Sequence, residues 1–204
     1  MYGSVAHLKA IPGKRKALKH LMDSDPVPVV SGWIASYLFE LDENLNHAVF
    51  MSVFDDRDTY HANAASPAQH ERYEEMSALL TADPDWNDGE MFPYMSFRDA
   101  SADSLLYGSV AHLNTLPGAC DAVNDLLERA TEVLDTVPGM LAGYLLLAER
   151  DPDLAFMLSV FDSPESYRAN SENPAQHERF LEMRSLLTKD PEWHSGYVTP
   201  FLRF

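Results

Sequence analysis

His70 and His177 stand at the same place in twin segments, Pro67-Ala68-Gln69-His70-Glu71-Arg72 and Pro174-Ala175-Gln176-His177-Glu178-Arg179. Imidazole titrates near neutrality, so it suits a general base and also serves as an axial haem ligand. On a helix, His70, Tyr73, Met76 and Leu80 share one stripe, and His177, Phe180, Met183 and Leu187 repeat it. A histidine in the first turn of such a stripe is placed to face a pocket between helix and sheet. The plainer reading is a histidine at a helix entrance, bonded back to the preceding loop. A second pair, His7 and His112, sits inside short apolar segments, Tyr2-Gly3-Ser4-Val5-Ala6-His7-Leu8 and Tyr107-Gly108-Ser109-Val110-Ala111-His112-Leu113. A buried imidazole needs polar partners, which a ligand pocket or a neighbouring hydroxyl would supply. If His7 and His70 point into one space, each copy holds a histidine pair.

Tyr60 with Asn63, and Tyr167 with Asn170, recur three residues apart on a short predicted helix. They are candidate ligand contacts; the plainer roles are a left-handed helix C-cap for Asn63 and core packing for Tyr60. Trp86 and Trp193 follow Asp-Pro-Asp and Asp-Pro-Glu, and read as loop residues that cover the core or line a ligand mouth. The sequence contains no glycine-rich phosphate loop, no Gly-x-Ser-x-Gly elbow and no His-Glu-x-x-His. Eight histidines without ligand spacing and a single cysteine, Cys120, give no expected metal site. Cys120 fits a small half-buried residue early in a helix.

These candidates are positioned by a duplication. The offset between copies is 105 residues at the first strand and 107 later, and Ser52–Phe97 matches Ser159–Phe204 at about half of its positions without a gap. A period of this size is that of a domain. Within one copy, Tyr2–Leu8 is strand-like, and Lys14–Met22 has the apolar spacing of a helix, ended by Pro26 and Pro28. Gly32–Leu41 and His47–Phe54 form a hairpin about Asp42-Glu43-Asn44. Asp56, or Ser163-Pro164-Glu165 in the second copy, starts a short helix. Ser66-Pro67-Ala68-Gln69 has a capping-box start for a helix running to about Leu80, and Met91–Phe97 reads as the last strand. The order β-α-β-β-α-β is the ferredoxin-like plan, an antiparallel sheet with helices on one face. Its bare face is expected to pack on the sheet of the other copy. The expected division is residues 1–98, a polar linker at 99–106, and residues 107–204.

The net charge of −17 is shared evenly between the copies, and no basic stripe is present, which disfavours nucleic acid as a partner. No apolar run reaches the length of a membrane span and no charged-then-apolar leader opens the chain, so a membrane partner is not expected. One cysteine fits a reducing cytoplasm.

The layout of Phe161-Asp162-Ser163-Pro164-Glu165-Ser166-Tyr167 followed by His177-Glu178-Arg179-Phe180 resembles the antibiotic-biosynthesis-monooxygenase-like domains of the dimeric α/β barrel superfamily, here in tandem. The resemblance implies an α+β fold, two ferredoxin-like units packed sheet to sheet as a fused barrel. It also implies a cofactor-independent monooxygenase-like protein that binds a small aromatic, quinol-like or phenol-like molecule in helix–sheet clefts. His70, His177, His7 and His112 would then be the candidate bases. The alternatives are a haem-binding member with His70 or His177 as axial ligand, and a non-catalytic binding or stress-associated module. The haem-degrading branch uses an asparagine on the first strand, where this chain has His7 and His112 beside Ser4 and Ser109. Lys14-Arg15-Lys16 faces Ala119-Cys120-Asp121 across the repeat, and His61 faces Arg168, so a single occupied cleft is the expectation for a charged ligand. Assembly beyond the pseudo-dimer is left open.

Overall fold

The computed structural model describes all residues except 24–30, 96, 101–103 and 203–204. The first unit is β1 (Tyr2–Lys9), α1 (Arg15–Asp23), β2 (Trp33–Leu41), β3 (His47–Phe54), α2 (Arg57–Ala64), α3 (Pro67–Ser77) and β4 (Asp85–Pro93). The second is β5 (Tyr107–Asn114), α4 (Cys120–Leu134), β6 (Met140–Ala148), β7 (Leu154–Phe161), α5 (Pro164–Ser171), α6 (Pro174–Arg184) and β8 (Glu192–Leu202). The eight strands close into one antiparallel barrel in the order β1-β3-β2-β8-β5-β7-β6-β4. Each unit supplies four adjacent strands. The facing sheets are also stitched along both edges, β2 to β8 and β4 to β6, so neither is left with an open edge.

Alternate residues along each strand point in opposite directions. Odd positions of β1 and even positions of β5 face the lumen, where Val5, Tyr37, Phe39, Met51, Val110, Tyr144, Phe156 and Leu158 form a buried core shared by both units. The other faces carry the helices, with Ala6, Leu8 and Leu38 under α1 and α3 and Ala111, Leu113 and Leu145 under α4 and α6. Paired hydroxyls tie the units at equivalent places: Tyr2 donates to Glu149, and Tyr107 donates to Asp42 Oδ2 at 2.5 Å.

The helix starts carry the expected capping residues, but the box expected at Ser66–Gln69 forms only its first half. Ser66 Oγ accepts from Gln69 N, with Pro67 in the first turn, and Asn173 Oδ1 accepts from Ala175 N. Asp56 and Thr59 make a reciprocal capping box on α2. Other expectations need correction. The second long helix of unit 1 stops at Ser77, because Leu80 leaves it to bridge Ala10. The last strand begins at Asp85 rather than Met91, so Trp86 and Trp193 lie on strands and not in loops. The polar run Asp85–Asp88 is tolerated because that stretch pairs only with β1, leaving one side exposed. Asn63 is no C-cap: α2 ends on Ala65, in right-handed helical conformation. Pro26, Pro28 and the middle of the linker lie outside the described residues.

Candidate functional site

The outward face of the first sheet and helices α2 and α3 enclose a cleft of about 590 Å³. That is the size of a small-ligand pocket. Its floor is Ser4, Ser36, Phe50, Ser52 and Phe54, its helix wall includes Tyr60, Asn63, Tyr73 and Met76, and Trp33, Trp86 and Phe201 flank it. Phe201 and Arg150 come from the second unit, so the cleft is completed across the repeat. The polar groups on its floor are held. Ser4 and Ser52 share a 2.9 Å hydrogen bond, Trp33 Nε1 donates to Ser36 Oγ at 2.9 Å, and Tyr60 donates to Asp88 Oδ1 at 2.7 Å. Burial, then the Asp88 carboxylate, pushes the Tyr60 hydroxyl above the usual tyrosine range, so it stays protonated. An aromatic slot with this polar set suits a flat apolar molecule bearing one or two oxygens.

The equivalent space in the second unit is filled. Tyr94 and Met95, beyond the end of β4, cross onto the second sheet and join an apolar cluster with Met140, Phe161 and residues of α4. Tyr94 N donates to Gly143 O, and its hydroxyl donates to Leu158 O at 2.5 Å. The Tyr94 ring lies where a Cβ on Gly143 would be, 2.3 Å from that ideal position. The residue at the Gly143 position of the first unit is Ser36, and the counterpart of Tyr94 is Phe201. Ser36 carries a side chain where Gly143 has none, and Phe201, its neighbour across the strand pair, lines the cleft and packs against the cluster under α1 and α3. Trp33 is replaced by Met140, Phe50 by Met157, and Asp88 by Ser195. The copies have diverged into one open cleft and one packed core.

The sequence candidates divide accordingly. His70, Tyr60, Asn63 and Trp86 border the first cleft. His70 sits on its rim with a side chain 71% exposed, 3.5 Å from Glu74, and not on a buried stripe. His177 is likewise exposed and stacks on Phe180, while Tyr167 packs on Tyr107 and Phe161. Asn170 Oδ1 is buried without a hydrogen-bond partner among the described residues, and Trp193 is 39% exposed. The expected pairing of His7 with His70 does not occur, because His7 faces the lumen on the opposite side of β1 from Ser4 and the cleft. His7 instead meets its own repeat counterpart, with Nε2 2.7 Å from His112 Nε2. Its Nδ1 is 2.9 Å from His47 Nε2, and His194 closes the group with ring centres 5.4 Å from His7 and 5.1 Å from His112. Burial, then neighbouring imidazoles, lowers His7 to about 3 and His112 to about 4, and burial also lowers His47. His7 and His112 are therefore neutral at neutral pH. Sequence spacing missed His47 and His194, which come from β3 and β8; the available signal was their inward parity at the same end of the barrel.

Comparison with known proteins agrees with this architecture. Residues 106–181 match the antibiotic biosynthesis monooxygenase family. A candidate monooxygenase from Fusobacterium nucleatum superposes with a TM-score of 0.83 at 9% identity, covering 99% of this chain and 94% of that one. A candidate monooxygenase from Lactobacillus acidophilus gives 0.77 at 13% identity, with coverages of 98% and 95%. An anthrone oxidase-like protein gives 0.69 at 14% identity, with coverages of 98% and 92%. No curated protein matches the sequence. Among the described residues, no helix is long and apolar enough to cross a membrane. Residues 106–181 are thus similar to the antibiotic biosynthesis monooxygenase domain, and the whole chain shares the fold of these proteins, two ferredoxin-like units closed into one eight-stranded barrel.

Proposed function

We propose that this chain is a monooxygenase-like protein that binds one small aromatic phenol or quinol in the cleft of its first unit and oxidises it with molecular oxygen. The observation that carries this reading is the aromatic cleft walled by Trp33, Phe50, Phe54 and Trp86, with Tyr60–Asp88 at one side. The names of the similar folds, two candidate monooxygenases and an anthrone oxidase-like protein, point the same way. In the reaction proposed, a base removes the phenolic proton, and the electron-rich ring passes electrons to O2. Phenol plus O2 gives quinone plus water, one oxygen atom staying on carbon as the new carbonyl and the other leaving reduced as water. His70 is the cleft-side imidazole and takes the role of base; the Arg150 guanidinium, which also lines the cleft, holds the phenolate oxygen. His177 does not line this cleft and has no role in this scheme.

The test compares His70→Ala with His177→Ala in an oxygen-consumption assay with 1-naphthol. A positioned general base contributes on the order of 100-fold or more to rate. His70→Ala is expected to lose about that factor in kcat with little change in 1-naphthol binding, and His177→Ala to match wild type. Equal effects of the two substitutions, or no oxygen uptake by wild type across a panel of phenols and quinols, would contradict the proposal.

A further inference from the structure

We infer that the end of the barrel lumen bearing His7, His112 and His194 is a binding site for a single divalent transition-metal ion. One imidazole nitrogen from each of these residues lies within 4.8 Å of the others. They come from three strands, β1, β5 and β8, fixed by the closed barrel, so the site exists only in the assembled fold. His194 Nδ1 donates to the Glu43 carboxylate at 2.5 Å, which leaves its Nε2 lone pair for a metal. In the tautomer in which His7 Nδ1 donates to His47 Nε2 at 2.9 Å, His7 Nε2 is likewise free of hydrogen, and His112, then the Nε2–H donor to it at 2.7 Å, must move that proton to Nδ1 when a metal binds. A ligand imidazole whose other nitrogen donates to a carboxylate, a carbonyl or water is the usual build of such a centre, and Glu43 gives His194 that partner.

The donor chemistry selects the ion. Three imidazole nitrogens suit zinc, cobalt, nickel or copper, whereas magnesium and calcium take oxygen. Three protein nitrogens also leave a coordination position open, and the Glu192 carboxylate, 3.4 Å from His194 Nε2, stands beside it. Carboxylates at Glu43, Glu192 and Asp85 act on these rings against the single ammonium of Lys9, and within a chain of net charge −17 the balance attracts a cation. Around a tetrahedral ion with metal–nitrogen bonds of about 2.0–2.1 Å, nitrogens stand about 3.3 Å apart. The His7–His112 contact of 2.7 Å must therefore widen by about 0.6 Å, a ring-rotation step that exchanges a hydrogen bond for two metal bonds.

The repeat argues against simple core filling. His7 and His112 are counterparts meeting across the lumen, but the counterpart of His47 is Leu154 and that of His194 is Asn87. Each unit thus adds one histidine the other lacks, and the four converge on one point. The stoichiometry that follows is one ion per chain, although the chain is duplicated. The site lies on the other side of the sheet from the cleft and does not depend on the cleft's function.

The test uses tag-free full-length protein, stripped with a chelator, dialysed and titrated with Co(II). Wild type is expected to bind one equivalent per chain, with visible ligand-field bands that Zn(II) displaces, and to melt at higher temperature with metal present. His112→Gln and His194→Gln should each weaken binding by about 100-fold or more, and His47→Gln by about 10- to 100-fold. His61→Gln/His177→Gln, on exposed helix positions, should bind as wild type. Absence of saturable Co(II) binding by folded wild type overturns the inference, whatever the variants do. So does unchanged binding in His194→Gln, and both results would leave the four rings as a hydrogen-bonded plug.

Discussion

Gly143→Ser writes the first unit's residue into the second and should expel the ring that fills the second cleft. An ideal Cβ at Gly143 falls 2.3, 2.6 and 2.8 Å from Cε2, Cζ and Cδ2 of Tyr94, distances that force the ring to move. Tyr94 is 3% exposed, so nearly all of its side chain is removed from water. An aromatic side chain buries about 150–250 Å², which at roughly 25 cal/mol/Å² is worth about 4–6 kcal/mol. Partial reburial of the displaced ring brings the loss to about 3–5 kcal/mol, the range of aromatic-to-alanine core changes. Without the ring, replacing a strand glycine should instead stabilise by roughly 0.5 kcal/mol, so the sign itself discriminates. At about 2–4 °C per kcal/mol for a chain of this size, the melting temperature should fall by about 6–20 °C. Thermal and urea unfolding supply the measurement, repeated in a Tyr94→Ala background where the same substitution should be nearly neutral. A shift within about 2 °C of wild type, or an equal penalty in both backgrounds, would refute the reasoning.

Three further outcomes follow from the repeat and its caps. Tyr60→Phe removes a hydrogen bond to a half-buried carboxylate and should cost about 1–2 kcal/mol, read by urea denaturation. Tyr167→Phe, whose unit has Ser195 where the first has Asp88, should cost less than about 0.5 kcal/mol in the same assay. Asp56 is held below the usual carboxylate range by hydrogen bonds from the Thr59 backbone and hydroxyl. Its stabilisation is present above the ordinary carboxylate pKa and is lost as pH falls through the folded value. The melting-temperature deficit of Asp56→Ala should therefore be largest near neutral pH and shrink below about pH 4; a deficit that grows on acidification would reverse the assignment.

The units were legible because local signals agreed with one another. The cap and proline at Ser66–Pro67, the apolar spacing of Leu18 and Met22, and the hairpin about Asp42–Asn44 each placed an element without help from the rest of the chain. The start of β4 was not legible, since Asp85, Asn87 and Asp88 have the composition of a turn and become a strand only through pairing with β1. The cleft asymmetry was written in Ser36 against Gly143. Its meaning depends on Tyr94, which crosses from the end of one unit to the sheet of the other and leaves no local trace. The histidines at the barrel end were hidden for the same reason: four strands, distant in sequence, bring them together only when the barrel closes.

The central claim is that one cleft, in the first unit, is the ligand site. It is tested most directly by a crystal structure of the full chain soaked with 1-naphthol. The account predicts ordered ligand between Trp33, Phe50 and Tyr60, with the Tyr94 ring undisturbed on Gly143. Ligand beneath α4 in the second unit, or equal occupancy of both units, would contradict it.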